Sequence, residues 1–168
     1  MKHTREIRIV GSLAYVPLTR GYEATIDASD AHLIDGVNWH ALVSRRTVYG
    51  ARTDLSTGAP RGVLLHRIIM GEPAGLEIDH IDGNGLNNAR ENLRVATAAQ
   101  NKQNRKMQKN NASGLKGASW HKGDKKWQAV ISFNGKSRYL GMFETKEDAH
   151  GAYCKASADL HGEFGNVG

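Results

Sequence analysis

Cysteine is all but missing from this 168-residue chain. Cys154 stands alone, which excludes an intramolecular disulfide and any cysteine-rich zinc knuckle, so no structural zinc is expected. A reducing, intracellular setting is the expectation that goes with it. Long hydrophobic runs are missing as well. The longest, GVLLHRIIMG, falls far short of the roughly 18 residues of a membrane span and is interrupted by His66 and Arg67. No signal peptide or spanning helix is read, and no membrane partner. Aromatic residues make up only 7% of the chain, the mean hydropathy is −0.53 and there are 19 glycines, a composition for small elements joined by many turns.

Acidic residues are missing from the middle of the chain. Residues 1–89 hold nine Lys/Arg against ten Asp/Glu, and residues 127–168 hold four against five. Residues 90–126 hold ten against two, +8 in 37 residues. The excess positive charge is therefore one belt, and a belt of that density points to phosphate contacts, where Lys and Arg displace counterions from nucleic acid. The plainer reading is a solvated linker. Arg94, Lys102 and Arg105 are the belt's candidates for touching DNA.

Three segments follow from the pattern, giving an α+β chain. Residues 1–62 read as a small β-rich region, with hairpins in AYVPLT–YEATID and NWHALVSR–TVYGART and a short helix in DASDAHLIDG. This region carries no recognisable chemistry, and its expected roles are to pack on the next segment and to offer a sheet to DNA. Residues 63–108 begin with VLLHRIIMG, a strand or short helix. LEIDHI then reads as a strand, DGNGLNN as a loop, ENLRVAT as a second strand and TAAQNKQNRKMQ as a helix capped by Thr97, which makes a ββα unit. Residues 109–114 read as a linker. Residues 115–168 read as a three-stranded antiparallel sheet (SWHK, KWQAVISF, SRYLGMF) packed on one helix, with Asn134-Gly135 as a tight hairpin turn and Thr145 as the helix cap. Ala149, Ala152, Tyr153, Ala156 and Leu160 are the expected buried face of that helix.

The chemistry concentrates in EIDHIDGNGLNNARENLRVATAAQN, residues 77–101. Asp79 and His80 are neighbours on a strand and point to opposite faces. Asn101, one turn into the helix, can meet the Asp79 carboxylate from another direction. An Asp–Asn oxygen pair suits one hard divalent ion, Mg²⁺ or Mn²⁺, that keeps open positions for water and phosphate. His80, on the face away from such an ion, is placed to deprotonate a water. Phosphodiester hydrolysis is the chemistry that asks for this set. Asp82, Asn84, Asn87 and Asn88 read as turn formers.

Through LLHR, GLEIDHIDGNGLNNARENLRVAT and AAQN, about 40 residues, the segment resembles the HNH nucleases of the ββα-metal class, in the variant whose third catalytic residue is Asn. The resemblance implies Asp79 and Asn101 as metal ligands, His80 as general base, and Asn92 as the central Asn that holds the loop and helps orient the base. His66 and Arg67 match a basic strand near the scissile phosphate. The last segment, through KKWQA, YLGMFET, EDAHGAY and LHGEF, resembles an Apetala2-type DNA-binding domain. That likeness implies DNA contacts at Lys116, Trp120, Lys125, Trp127, Arg138 and Tyr139, with Phe133, Leu140 and Phe143 in the core. Together the two resemblances imply a metal-dependent, homing-type endonuclease acting on double-stranded DNA as monomer or dimer. A phage gene product in a bacterial cytoplasm is the implied setting. The alternative is a non-catalytic DNA-binding regulator built on a degenerate HNH fold.

Overall fold

The computed structural model describes residues 4–56, 58–108 and 110–168 of the chain; Lys109, at the head of the expected linker, lies outside them. The fold is α+β, several small antiparallel sheets with few helices, in two compact units that divide between Ala96 and Thr97.

The first unit contains two three-stranded sheets and a hairpin. Strands β1 (Arg8–Val10), β2 (Leu13–Pro17) and β3 (Glu23–Asp27) form one sheet in sequential order, and a 3-10 segment follows at Ala28–Leu33. Alternation decides which side is buried: Ala14, Val16, Ala24 and Ile26 face inward on adjacent strands. Strands β4 (His40–Val43), β5 (Val48–Asp54) and β6 (Arg61–Leu64) form the second sheet. β6 runs directly into the short helix α1 (Leu65–Ile69), so VLLHRIIMG is both strand and helix. Leu65 and Ile69 from α1 join Leu18, Ile34 and Trp39 in one core, which also takes Ile78 and Leu93 from the hairpin β7 (Glu77–His80) and β8 (Leu93–Ala96). Burying such side chains stabilises by about 1.5–3 kcal/mol each.

The second unit opens with α2 (Ala98–Gln103), where Thr97 and Gln100 complete a reciprocal capping box. Residues 110–114, expected as linker, include a buried Ser113 whose Oγ lies 2.8 Å from the Ala118 carbonyl, and Asn111 donates to the Leu115 carbonyl at 3.0 Å. Strands β9 (Ala118–His121), β10 (Lys126–Phe133) and β11 (Lys136–Phe143) form a sheet with β10 in the middle, packed on α3 (Lys146–His161). Asn134 and Gly135 turn the β10–β11 hairpin at φ of 50° and 74°. Leu140 and Phe143 pack against the core, while Phe133 stacks on His161 instead.

The buried ridge of α3 differs from the expected one. Ala149, Tyr153, Ser157 and His161 are the buried positions, a strict i, i+4 row. Two polar residues belong to it because their bonds are satisfied inside. His161 donates from Nε2 to the Ser132 carbonyl at 2.9 Å, and Ser157 is small enough for Gly165 to pass: a Cβ there would sit 2.5 Å from its Oγ. Gly117 is required for a similar reason, since a Cβ would fall 2.1 Å from the Tyr153 ring at a backbone φ of 79°.

Candidate active site

The hairpin register makes the site. β7 and β8 pair so that Asp79 faces Arg94 and His80 faces Leu93. Asp79 and Arg94 lie on one side of the ribbon, where Arg94 Nε and Nη2 donate to Asp79 Oδ2 at 2.9 and 2.7 Å. Both are largely dry, with side-chain exposures of 4% and 13%. In such surroundings the carboxylate needs a cation, and this one has its cation built in.

His80 lies on the other face with its ring among aromatic neighbours. The His66 ring, carried by α1, meets it edge-on at 4.9 Å, and Tyr49 from β5 is 5.8 Å from it. Burial pulls the pKa of His66 down to about 3, helped by His80 and Arg67. Burial also lowers His80, against the opposing pull of its Asn88 bond, Asp82 and Asp79. Both rings are therefore neutral at physiological pH.

Loop 81–92 is held from within and from the N-terminal sheet. Asn92 Oδ1 accepts from the Asp82 amide at 3.0 Å, and Asn92 Nδ2 donates to Asp82 Oδ1 and to the Asn87 carbonyl at 3.0 and 2.8 Å. Asp82 also accepts from the Asn84 amide and Asn87 Nδ2. Partial burial raises its pKa, but these three donors outweigh that and leave the carboxyl below its ordinary value. From outside, the Thr25 amide donates to the Leu86 carbonyl at 2.8 Å and the Asn88 amide to the Thr25 carbonyl at 2.7 Å. Arg90 pairs doubly with the buried Asp30 at 2.8 Å, and its amide donates to Asp27. Gly85 lies against β5 so closely that a Cβ would meet the Tyr49 ring at 2.5 Å.

Asn88 is the buried contact of His80 that sequence reasoning missed. It is fully buried, and its Oδ1 lies 3.2 Å from His80 Nε2. Read as a turn former, it gives no local sign of this. The sequence carried no signal that separates it from Asn87; only the structure shows that no Asn of the loop takes a left-handed backbone, so that turn geometry alone does not account for the pair.

The other expected residues are placed as follows. Arg67 donates to the Leu76 and Pro73 carbonyls at 3.2 and 3.0 Å, pinning the loop before β7. Asn101 lies on α2, counted with the second unit, as are the exposed Lys102 and Arg105. Lys116 is turned inward, donating to the Asn166 carbonyl at 2.7 Å and to the Arg105 carbonyl, and burial lowers its pKa. Trp127 packs on the core of its unit and meets Trp120 edge-on at 5.3 Å. Trp120, Lys125, Arg138 and Tyr139 are exposed, Arg138 lying over the Phe133 ring at 4.9 Å.

Among the described residues no group of three or more His, Cys, Asp or Glu could hold a metal ion. On the hairpin the candidate oxygen donor is the Asp79 carboxylate, and on α2, taken by itself, it is the Asn101 side-chain amide; oxygen donors of this kind suit a hard cation rather than zinc.

Comparison with known proteins agrees in direction. Residues 63–103 match the model of a family described as HNH endonuclease. The chain is 41% identical over 92 residues to Protein 3.8 of Escherichia phage T7, covering 55% of this chain and 75% of that one. It is 28% identical over 166 residues to an uncharacterized HNH endonuclease of Acanthamoeba polyphaga mimivirus, covering 96% of this chain and 84% of the relative. No solved structure matches.

Proposed function

Residues 63–103 carry an HNH endonuclease domain, and on that premise we propose that the chain is a metal-dependent DNA endonuclease of the homing type. The observation that carries the reading is the neutral, buried His80 set back to back with an acidic strand neighbour, Asp79, on a hairpin whose loop is fixed at both ends. A neutral imidazole is the form that accepts a proton, and burial keeps it neutral. His80 takes a proton from the attacking water, whose oxygen forms the new bond to phosphorus. The bond to the 3′ oxygen breaks, leaving a 5′-phosphate and, after protonation from solvent, a 3′-hydroxyl. A divalent ion, when bound by Asp79 and Asn101, supplies charge stabilisation for the phosphate and the departing oxygen. Asn92 keeps the loop closed. The exposed Lys102, Arg105, Lys125, Trp120, Arg138 and Tyr139 supply candidate DNA contacts, and an Apetala2-like role for the second unit's sheet fits their exposure.

The second reading, a DNA-binding regulator without turnover, draws on one observation. Asp79 is already paired with Arg94, so any ion has a resident competitor. Supercoiled plasmid carrying the gene's own genomic neighbourhood separates the two readings. With Mg²⁺ or Mn²⁺ the wild type is expected to give open circles, EDTA to abolish them, and His80→Ala to lower kcat by about 10²–10⁴. Tight retention of that DNA with no cutting under any ion would establish the regulator.

A further inference from the structure

We propose that Asn88, anchored to the N-terminal sheet, is the positioning residue that fixes the His80 tautomer and makes Nδ1 the proton-accepting atom. The inference rests on the reading of His80 as the base and adds which nitrogen acts and what sets it.

Hydrogen-bond capacity carries the argument. An Asn side chain has one acceptor oxygen and two N–H donors. Asn88 Nδ2 points at two carbonyl oxygens, Leu86 at 3.0 Å and Gly85 at 3.5 Å. Rotating the amide by half a turn would aim its oxygen at both of them, so the orientation is determined by its surroundings. Oδ1 is therefore the atom 3.2 Å from His80 Nε2. An oxygen facing a ring nitrogen requires that nitrogen to carry the proton. In a neutral imidazole the lone pair is then on Nδ1.

Asn92 does not compete for this role. Its oxygen and both of its N–H donors are engaged by Asp82 and Asn87, so its part is to close the loop. Asn88 is in turn held by the first sheet, since its own amide donates to the Thr25 carbonyl on β3. The N-terminal region, which shows no chemistry of its own, thereby bears on the base's tautomer through Asn88. His66 and Tyr49 meet the same ring through ring contacts, at 4.9 and 5.8 Å between centroids.

The test is the long-range ¹H–¹⁵N spectrum of the histidine rings in the full, metal-free chain at pH 8, with His80 assigned by its loss in His80→Ala. A pyrrole-type Nε2 and a pyridine-type Nδ1 are expected in the wild type; the reverse pattern overturns the proposal. In Asn88→Ala the His80 ring is expected to show mixed tautomers, and kcat to fall about 10- to 100-fold with KM unchanged. Asn88→Asp, which keeps an acceptor, is expected to retain the wild-type tautomer. Unchanged ring signals and unchanged kcat in Asn88→Ala overturn the assignment. If His80→Ala cuts as well as wild type, the base reading fails, while the tautomer spectrum still answers for Asn88 separately.

Discussion

In the first unit Ile, Leu, Val and Trp side chains enclose a set of dry polar groups: Asp30, His66, Asp79, His80, Asn88 and Asn92. In the second, three small alanines, Ala118, Ala129 and Ala149, form the centre of the core, while Trp120 and Tyr139 stand 48% and 60% exposed beside Lys125 and Arg138. The difference teaches what each unit is built to hold still. Buried polar groups have their geometry and protonation dictated by neighbours and are costly to disturb. Exposed aromatics and cations are cheap to change, respond to salt, and act only when something binds them.

The largest effect expected from breaking this contrast lies at Arg94. Arg94→Ala leaves the Asp79 carboxylate buried without its cation, at a cost of about 3–5 kcal/mol in the metal-free protein. If Asp79 binds a divalent ion, that ion replaces the missing charge. Thermal unfolding with EDTA and with Mn²⁺ should then show a larger metal-induced rise in Tm for the variant than for the wild type. Equal rises in both would remove Asp79 from the ligand set.

Acid should act on the same unit with a smaller effect. The folded pKa of His66, about 3, lies below its ordinary 6.5, so the unfolded chain binds the extra proton. Stability from this group is present in full above pH 6.5 and is lost as pH falls from there towards 3. Between pH 6.5 and 5 the loss is about 1.5 kcal/mol, and burial of His80 adds in the same direction. Urea midpoints across that range should fall for the wild type and fall less steeply for His66→Gln. A parallel fall in both would mean that His66 is charged or exposed in the folded state.

How much of this was legible in the sequence depended on whether the cause was local. The Asn134-Gly135 turn, the Thr97 and Thr145 caps and the alternation of Ala14 and Val16 are set by near neighbours, and each lies where its pattern put it. The α3 ridge was read only in part: Ala149 and Tyr153 are buried as expected, but a polar residue reads as outward, whereas Ser157 pairs with His161 and His161 with the Ser132 carbonyl on β10. The Asp79–Arg94 pair depends on a register across a 12-residue loop, which no local pattern fixes. Asn88 was the hardest to see. Its ring partner lies eight residues back and its backbone partner, Thr25, 63 residues away, so in sequence it differs in nothing from the Asn87 beside it.

The smallest effects are expected on the exposed side of the contrast. Tyr139 lies on the face of the sheet opposite to Ala129 and the helix, since it pairs with Val130 across the hairpin. Lys125 stands in the β9–β10 turn with a left-handed backbone φ of 52°, its ammonium in solvent. Both belong to the second unit's sheet and not to the hairpin that carries the proposed chemistry, so Tyr139→Ala and Lys125→Ala should leave kcat unchanged. Tyr139→Ala is expected to weaken DNA binding by about 1 kcal/mol, roughly fivefold. Lys125→Ala should lower the slope of log K against log salt by about 1, the loss of one displaced counterion. Filter binding from 50 to 200 mM salt reads both. A change in kcat from either variant would mean that the second unit's sheet takes part in the chemistry, and the division between a dry reacting hairpin and a wet binding sheet would have to be abandoned.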